Sequence, residues 1–160
     1  MAAERPDFDE VFAVEFARVA RTVYLICRDK NLAEDIAQDA FVELYRRWQR
    51  ISRYDRPGAW VRRVAIRMTV RSLRHDAIRI DAERAFPAVE GEHHRDTGVL
   101  EAVRVLPLRQ RAAVVMFYFE DASVAEIADS LGCSAPTARV HLHRARVRLG
   151  DLLTRAGADS

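Results

Sequence analysis

The side chains in this sequence best placed to do chemistry are arginines, in two stretches. From Arg56 to His75 there is no acid, and Arg63, Arg67, Arg71 and Arg74 recur at steps of four, four and three. On a helix that spacing puts all four on one face. The second stretch, RVHLHRARVRL, runs from Arg139 to Leu149. Of 26 basic residues 25 are arginine, Lys30 being the exception. A guanidinium is a planar fork of donors that suits phosphate oxygens and guanine edges. The formal net charge is only +2, so the placement of charge is informative and its sum is not.

Catalytic chemistry finds no scaffold. Cys27 and Cys133 form no CxxC pair and read as small thiols, buried or half-buried. The adjacent His93 and His94 offer too few ligands for a metal site. His141 and His143 have no carboxylate three or four residues away, and no glycine loop is built to cradle phosphate. A non-enzymatic protein without cofactors is expected. The opening MAAERPDFDE is polar and acidic, unlike a signal peptide. No apolar run approaches the roughly 20 residues needed to span a bilayer. These features predict a soluble, cytoplasmic protein in a reducing compartment, with no membrane partner.

The elements that must carry these arginines are helices, and the fold class expected is all-α. Strand-like alternation is absent, and only 6 Gly and 5 Pro punctuate the chain. A first helix begins near Phe8, with Phe12, Phe16, Val19, Val23 and Ile26 as its apolar stripe. A second runs from about Leu32 to Gln49, with Glu34 and Asp35 in its first turn and Arg46, Arg47 and Arg50 at its end. That polarity suits the helix dipole. Pro57 fits the first turn of a third helix, which continues to about Arg74 and buries Val61, Val64, Ala65 and Met68. The segment 76–98 carries six acids against three arginines, with Pro87, Gly91 and Gly98, and reads as a flexible linker. Two small helical domains follow from this pattern, 8–75 and 99–155.

In the second domain, Ser123 and Glu126 form a capping-box pattern before a two-turn helix. Gly132 sits where a left-handed residue ends that helix, and Ser134 can cap the next. Ala138, Leu142, Ala145 and Leu149 then make a narrow buried stripe. A short helix, a glycine turn and a second helix describe a helix-turn-helix. Its second helix enters the major groove and turns its N-terminal residues toward base edges. Arg139, His141 and Arg144 suit that task.

With these residues in view, the chain resembles an extracytoplasmic-function (ECF, group 4) sigma factor of bacterial RNA polymerase, in the sigma-70 family. AEDIAQDAFVELYRRW (Ala33–Trp48) resembles the core-binding helix of region 2, and PGAWVRRVAIRMTVRSLR (Pro57–Arg74) its promoter-melting part. Leu106–Leu149 resembles region 4. The three segments stand in the family's order. The resemblance implies that Asp35, Gln38, Asp39 and Phe41 dock on core RNA polymerase. It implies that Ser52, Arg53, Tyr54 and Arg56 surround a flipped base of the −10 element. A flipped base offers its edge and a stacking face, here to Tyr54. Trp60, at the start of the next helix, belongs to the same site or anchors the core. Arg62, Arg63, Arg67, Arg71 and Arg74 would follow phosphates of the melting duplex. Ser134, Pro136, Thr137, Arg139, Val140, His141, His143 and Arg144 would face the −35 element.

The chain departs from the common family pattern at Arg67 and Arg71, where many members carry Asn and a small polar residue. Pro136-Thr137-Ala138-Arg139 stands where Gly-Thr-Val-Lys is common. The promoter sequences of relatives therefore do not transfer. Core RNA polymerase and promoter DNA are the implied partners, and the family leaves an anti-sigma factor open. The acidic linker would thread polymerase channels in place of nucleic acid. No apolar stripe is left over for a dimer, so the free chain is expected to be a monomer. A stand-alone helix-turn-helix regulator is the alternative reading, and it would need such an interface to span two half-sites.

Overall fold

The computed structural model describes residues 4–80 and 98–158, with 76–80 described by backbone alone. The described residues form eight helices and no strand. They divide into two compact units, 1–69 and 70–160. His93, His94 and most of the acidic linker lie outside the described residues.

In the first unit, α1 (Phe8–Cys27) opens on a capping box. The Asp7 carboxylate accepts from the Glu10 amide at 2.8 Å, and the Asp7 amide donates to the Glu10 carboxylate at 3.1 Å. The helix closes on Arg28, at φ 62°. Its buried line is Val11, Val19, Thr22, Val23 and Ile26. Phe12, expected within that line, is 40% exposed and sits at its edge.

Asp29 caps α2 (Lys30–Arg46) by accepting from the Leu32 amide at 3.1 Å. The cap starts this helix two residues earlier than the apolar pattern implies. Glu34 and Asp35 consequently stand beyond the first turn, which holds no acid. The helix also stops earlier, at Arg47, whose backbone leaves helical geometry at φ −109°. A four-residue α3 (Trp48–Ile51) follows. No glycine or proline marks this break.

α4 spans Pro57–Ile80. Helix therefore persists through 76–80, where composition suggests linker; no glycine or proline interrupts it there. Val61 and Ala65 join the core made by α1 and α2, with Trp60, Val64 and Met68 partly buried against it. The boundary between the units falls inside α4, after Thr69.

The second unit contains α5 (Gly98–Val105), α6 (Leu108–Phe119), α7 (Val124–Leu131) and α8 (Ala135–Ala158). Pro107 separates the first two. Arg111, only 6% exposed, donates to the Leu106 carbonyl at 2.8 Å and so satisfies an acceptor at the end of α5. The core combines Val103, Leu106 and Ala112–Met116 with Ile127, Leu131, Ala138, Leu142 and Ala145.

The turn between α7 and α8 has the expected form. Ser123 accepts from the Glu126 amide at 3.1 Å, and Glu126 accepts from the Ser123 amide at 2.9 Å. Gly132 lies at φ 65°, with nothing within 4 Å of an added Cβ. Space is therefore not the constraint there; backbone handedness is. Gly132→Ala is expected to destabilise the protein by about 1–2 kcal/mol, read as a lower denaturant midpoint. An unchanged midpoint would mean that the turn relaxes into another conformation.

Candidate nucleic-acid interface

α7, the turn and α8 bring together most of the side chains expected at a DNA groove. Ser134 accepts from the Thr137 amide at 3.3 Å and shares a 2.9 Å hydrogen bond with the Thr137 hydroxyl. That pair fixes the start of α8. Ser134, Pro136, Thr137, Arg139, Val140, His143 and Arg144 are all exposed on its N-terminal half. The opposite face buries Ala138, Leu142 and Ala145. The division between faces leaves Arg139 and Arg144 pointing away from the core and available to base edges.

His141 is half-buried. Burial, then the guanidiniums of Arg109 and Arg144, hold its pKa below the usual histidine value of 6.5. The folded state therefore binds fewer protons here than the unfolded chain. Its destabilising contribution is full below the lowered pKa and disappears as pH rises past 6.5. Stability of this unit should rise with pH through that window, and His141→Gln should remove that part of the rise. Thermal midpoints between pH 5 and 8 read the effect. The same slope in both proteins would contradict it.

Arg109 also donates to the Leu131 carbonyl, at 3.5 Å, and so stands at the helix-turn-helix turn. Its sequence position on a different helix gave no sign of this. Arg146, by contrast, is turned toward the unit's own aromatics. It lies 5.0 Å from the Phe117 ring centre and donates to the Tyr118 hydroxyl at 2.9 Å.

In the first unit, Asp35, Gln38 and Asp39 are exposed on α2. Phe41 is not on that surface. It is 2% exposed, with Phe8, Phe12 and Phe16 ring centres at 6.5, 5.0 and 5.7 Å. Its contribution is to pack beneath the helix rather than to touch a partner. Arg53, Tyr54, Asp55 and Arg56 are exposed in the loop after α3, and Ser52 is half-buried. The loop is anchored by the Tyr54 amide donating to the Ile51 carbonyl at 2.9 Å. Trp60 is half-buried against the core, which accounts for its position as an anchor.

The arginine face of α4 is less uniform than its spacing suggests. Arg62 pairs with Glu15, and the two side chains are 13% and 16% exposed. That partly buried pair commits Arg62 to the fold, so it does not belong with the phosphate-tracking set. Gly58 makes room for the pair: a Cβ there would come within 2.7 Å of the Glu15 carboxyl carbon. Arg63 and Arg67 are half-buried, while Arg71 and Arg74 are exposed.

Residues 15–78 match the family described as Sigma-70 region 2, and residues 97–149 match Sigma-70, region 4. The RNA polymerase sigma-E factor of Streptomyces antibioticus is 31% identical, over 96% of this chain and 88% of its own length. The chain belongs to the sigma-70 family, as an ECF sigma factor. The ECF RNA polymerase sigma factor SigM of Mycobacterium tuberculosis is 30% identical, over 96% of this chain and 80% of that protein. The fold agrees with that of the sigma factor RpoE from Bartonella quintana, solved in complex with the anti-sigma factor NepR. The TM-score is 0.70 at 19% identity, covering 92% of this chain and 97% of that one. A sigma factor has two promoter-recognising modules, and this one has both regions in order. A lone helix-turn-helix regulator would leave region 2 unexplained.

Proposed function

We propose that this sigma factor docks on core RNA polymerase through the exposed Asp35, Gln38 and Asp39 of α2 and directs initiation at promoters read by its two modules. In this reading residues 8–75 form the core-binding and −10 module, 76–98 a tether, and 99–155 the −35 module. The loop Ser52–Arg56 takes a flipped −10 base with Tyr54 as its stacking surface. Arg63, Arg67, Arg71 and Arg74 follow the phosphates of the melting duplex. The exposed face of α8 reads the −35 major groove through Arg139 and Arg144, with Ser134, Pro136, Thr137, Val140, His141 and His143 around them.

The observation that carries this reading is the helix-turn-helix, with Arg139 and Arg144 exposed on the N-terminal half of its second helix and Ala138, Leu142 and Ala145 buried behind them. Each module alone offers a small patch, and polymerase would hold both at a fixed spacing, turning two weak contacts into one avid one. In this reading the protein works in the cytoplasm and has no reaction of its own.

Arg71 and Arg74 provide a test of the phosphate-tracking face. Replacing each with alanine should flatten the dependence of log affinity on log salt by about 0.9 per lost phosphate contact. The measurement is promoter binding by the reconstituted holoenzyme across a salt series. An unchanged slope would remove these two residues from the DNA path.

A further inference from the structure

His141 is set apart from its neighbours on α8. Arg139, Val140, His143 and Arg144 are exposed, whereas His141 is half-buried beside the stripe of Ala138, Leu142 and Ala145. It stands on the shoulder of the helix, one turn before Arg144 on the same side. Arg109 reaches that shoulder from α6. Its guanidinium donates to the Leu131 carbonyl at 3.5 Å, which holds it at the turn before α8. Among the described residues, the charges that bear on His141 are those of Arg109 and Arg144, and both are positive. The carboxylates of α7, which also packs on α8, are Glu126 and Asp129. Glu126 is tied to the Ser123 amide in its capping box, and Asp129 is exposed in the last turn.

Three cationic side chains from two helices therefore meet at one place, and one of them can shed its charge. Burial and the two guanidiniums favour the neutral imidazole in the free protein. A phosphate would reverse that balance. Duplex phosphates line the walls of a groove and position a bound protein. With α8 in the groove, its shoulder meets a wall while its exposed face meets base edges. An opposite charge within about 4–6 Å favours the charged form of an ionisable group by roughly 10- to 1,000-fold. The imidazolium also offers two N–H donors, where the neutral ring offers one.

We propose that Arg109 and His141 hold a backbone phosphate beside the −35 element, and that His141 takes up a proton from solvent as this contact forms. Promoter affinity therefore rises as pH falls, although the stability of the free unit falls in the same direction. The gain accrues between the raised pKa of the bound histidine and the lowered pKa of the free one, and is complete below the latter. The inference rests on the placement of α8 in the −35 groove, and it makes promoter reading responsive to acidification.

The test measures the affinity of the complete holoenzyme for a mapped promoter that depends on its −35 element, from pH 8 to pH 6 at constant ionic strength. Relative to His141→Gln, the wild type should tighten about fivefold across this range, the part of a tenfold preference for the charged histidine that falls within it. His141→Arg keeps its charge, so it should lack the slope and bind more tightly than the wild type at pH 8 by a similar factor. His143→Gln should keep the wild-type slope. Equal slopes in the wild type and His141→Gln, or a slope lost in His143→Gln instead, would overturn the proton uptake. Scrambling the −35 element separates the two levels of the account. If scrambling weakens binding and the slopes are equal, only the proton-linked contact fails. If scrambling leaves wild-type affinity unchanged, the placement of α8 fails with it.

Discussion

Reversing the charge on the exposed face of α2, by Asp35→Arg with Asp39→Arg, is expected to abolish holoenzyme formation. Both side chains are exposed. The helix has its own cap at Asp29 and buries Ala33, Ile36, Ala37, Ala40, Phe41 and Leu44 on the other side. Folding should therefore survive the change, which a far-ultraviolet circular dichroism melt would verify. Placing like charges against an interface costs several kcal/mol, so core affinity should fall by at least about 100-fold. Co-purification and fluorescence titration with core polymerase read the loss. A folded double variant that binds core within twofold of wild type would move the docking surface elsewhere. Phe41→Ala should behave differently: because the ring is buried, it should lower stability by about 3–5 kcal/mol.

The second large effect belongs to α8. Arg139→Ala with Arg144→Ala removes two guanidiniums from the exposed side of the helix while leaving Ala138, Leu142 and Ala145 in the core. A bidentate arginine–guanine contact is worth about 1–3 kcal/mol of discrimination, or roughly 5- to 150-fold each. Initiation at a promoter that depends on its −35 element should fall by a factor in that range or beyond. Scrambling the −35 element should lower wild-type activity by a comparable factor, and should add little to the double variant. If the two losses multiply in full, these arginines act somewhere other than the −35 element.

What the sequence made legible was local. The helix-turn-helix could be read because its signals lie within a few residues of each other: the Ser123–Glu126 box, Gly132, the Ser134 cap and the four- and three-step stripe of α8. The exposed arginines of that helix follow from the same periodicity. The acids of α2 could be placed on its surface for the same reason.

What escaped was set by contacts distant in sequence or by caps that override the apolar pattern. Arg62 has the spacing of a phosphate ligand, yet it pairs with Glu15, 47 residues away. No local pattern reports that pair, although the glycine at position 58 is its trace. Asp29 moved the start of α2, and with it the turn in which Glu34 and Asp35 stand. Phe12 fits a helical stripe, but Val11 occupies the core and the larger ring packs at the rim. Arg111 is charged and buried because the end of α5, stopped at Pro107, leaves a carbonyl that needs a donor.

The chain's defining activity is to direct a polymerase to promoters. It is tested most directly by in-vitro transcription with purified protein and bacterial core polymerase on a library of upstream regions, with transcript ends mapped. Discrete starts that share two upstream elements at a fixed spacing are predicted, and they should vanish when the protein is omitted. Random or absent starts, with a core enzyme shown to be active with another sigma factor, would contradict it.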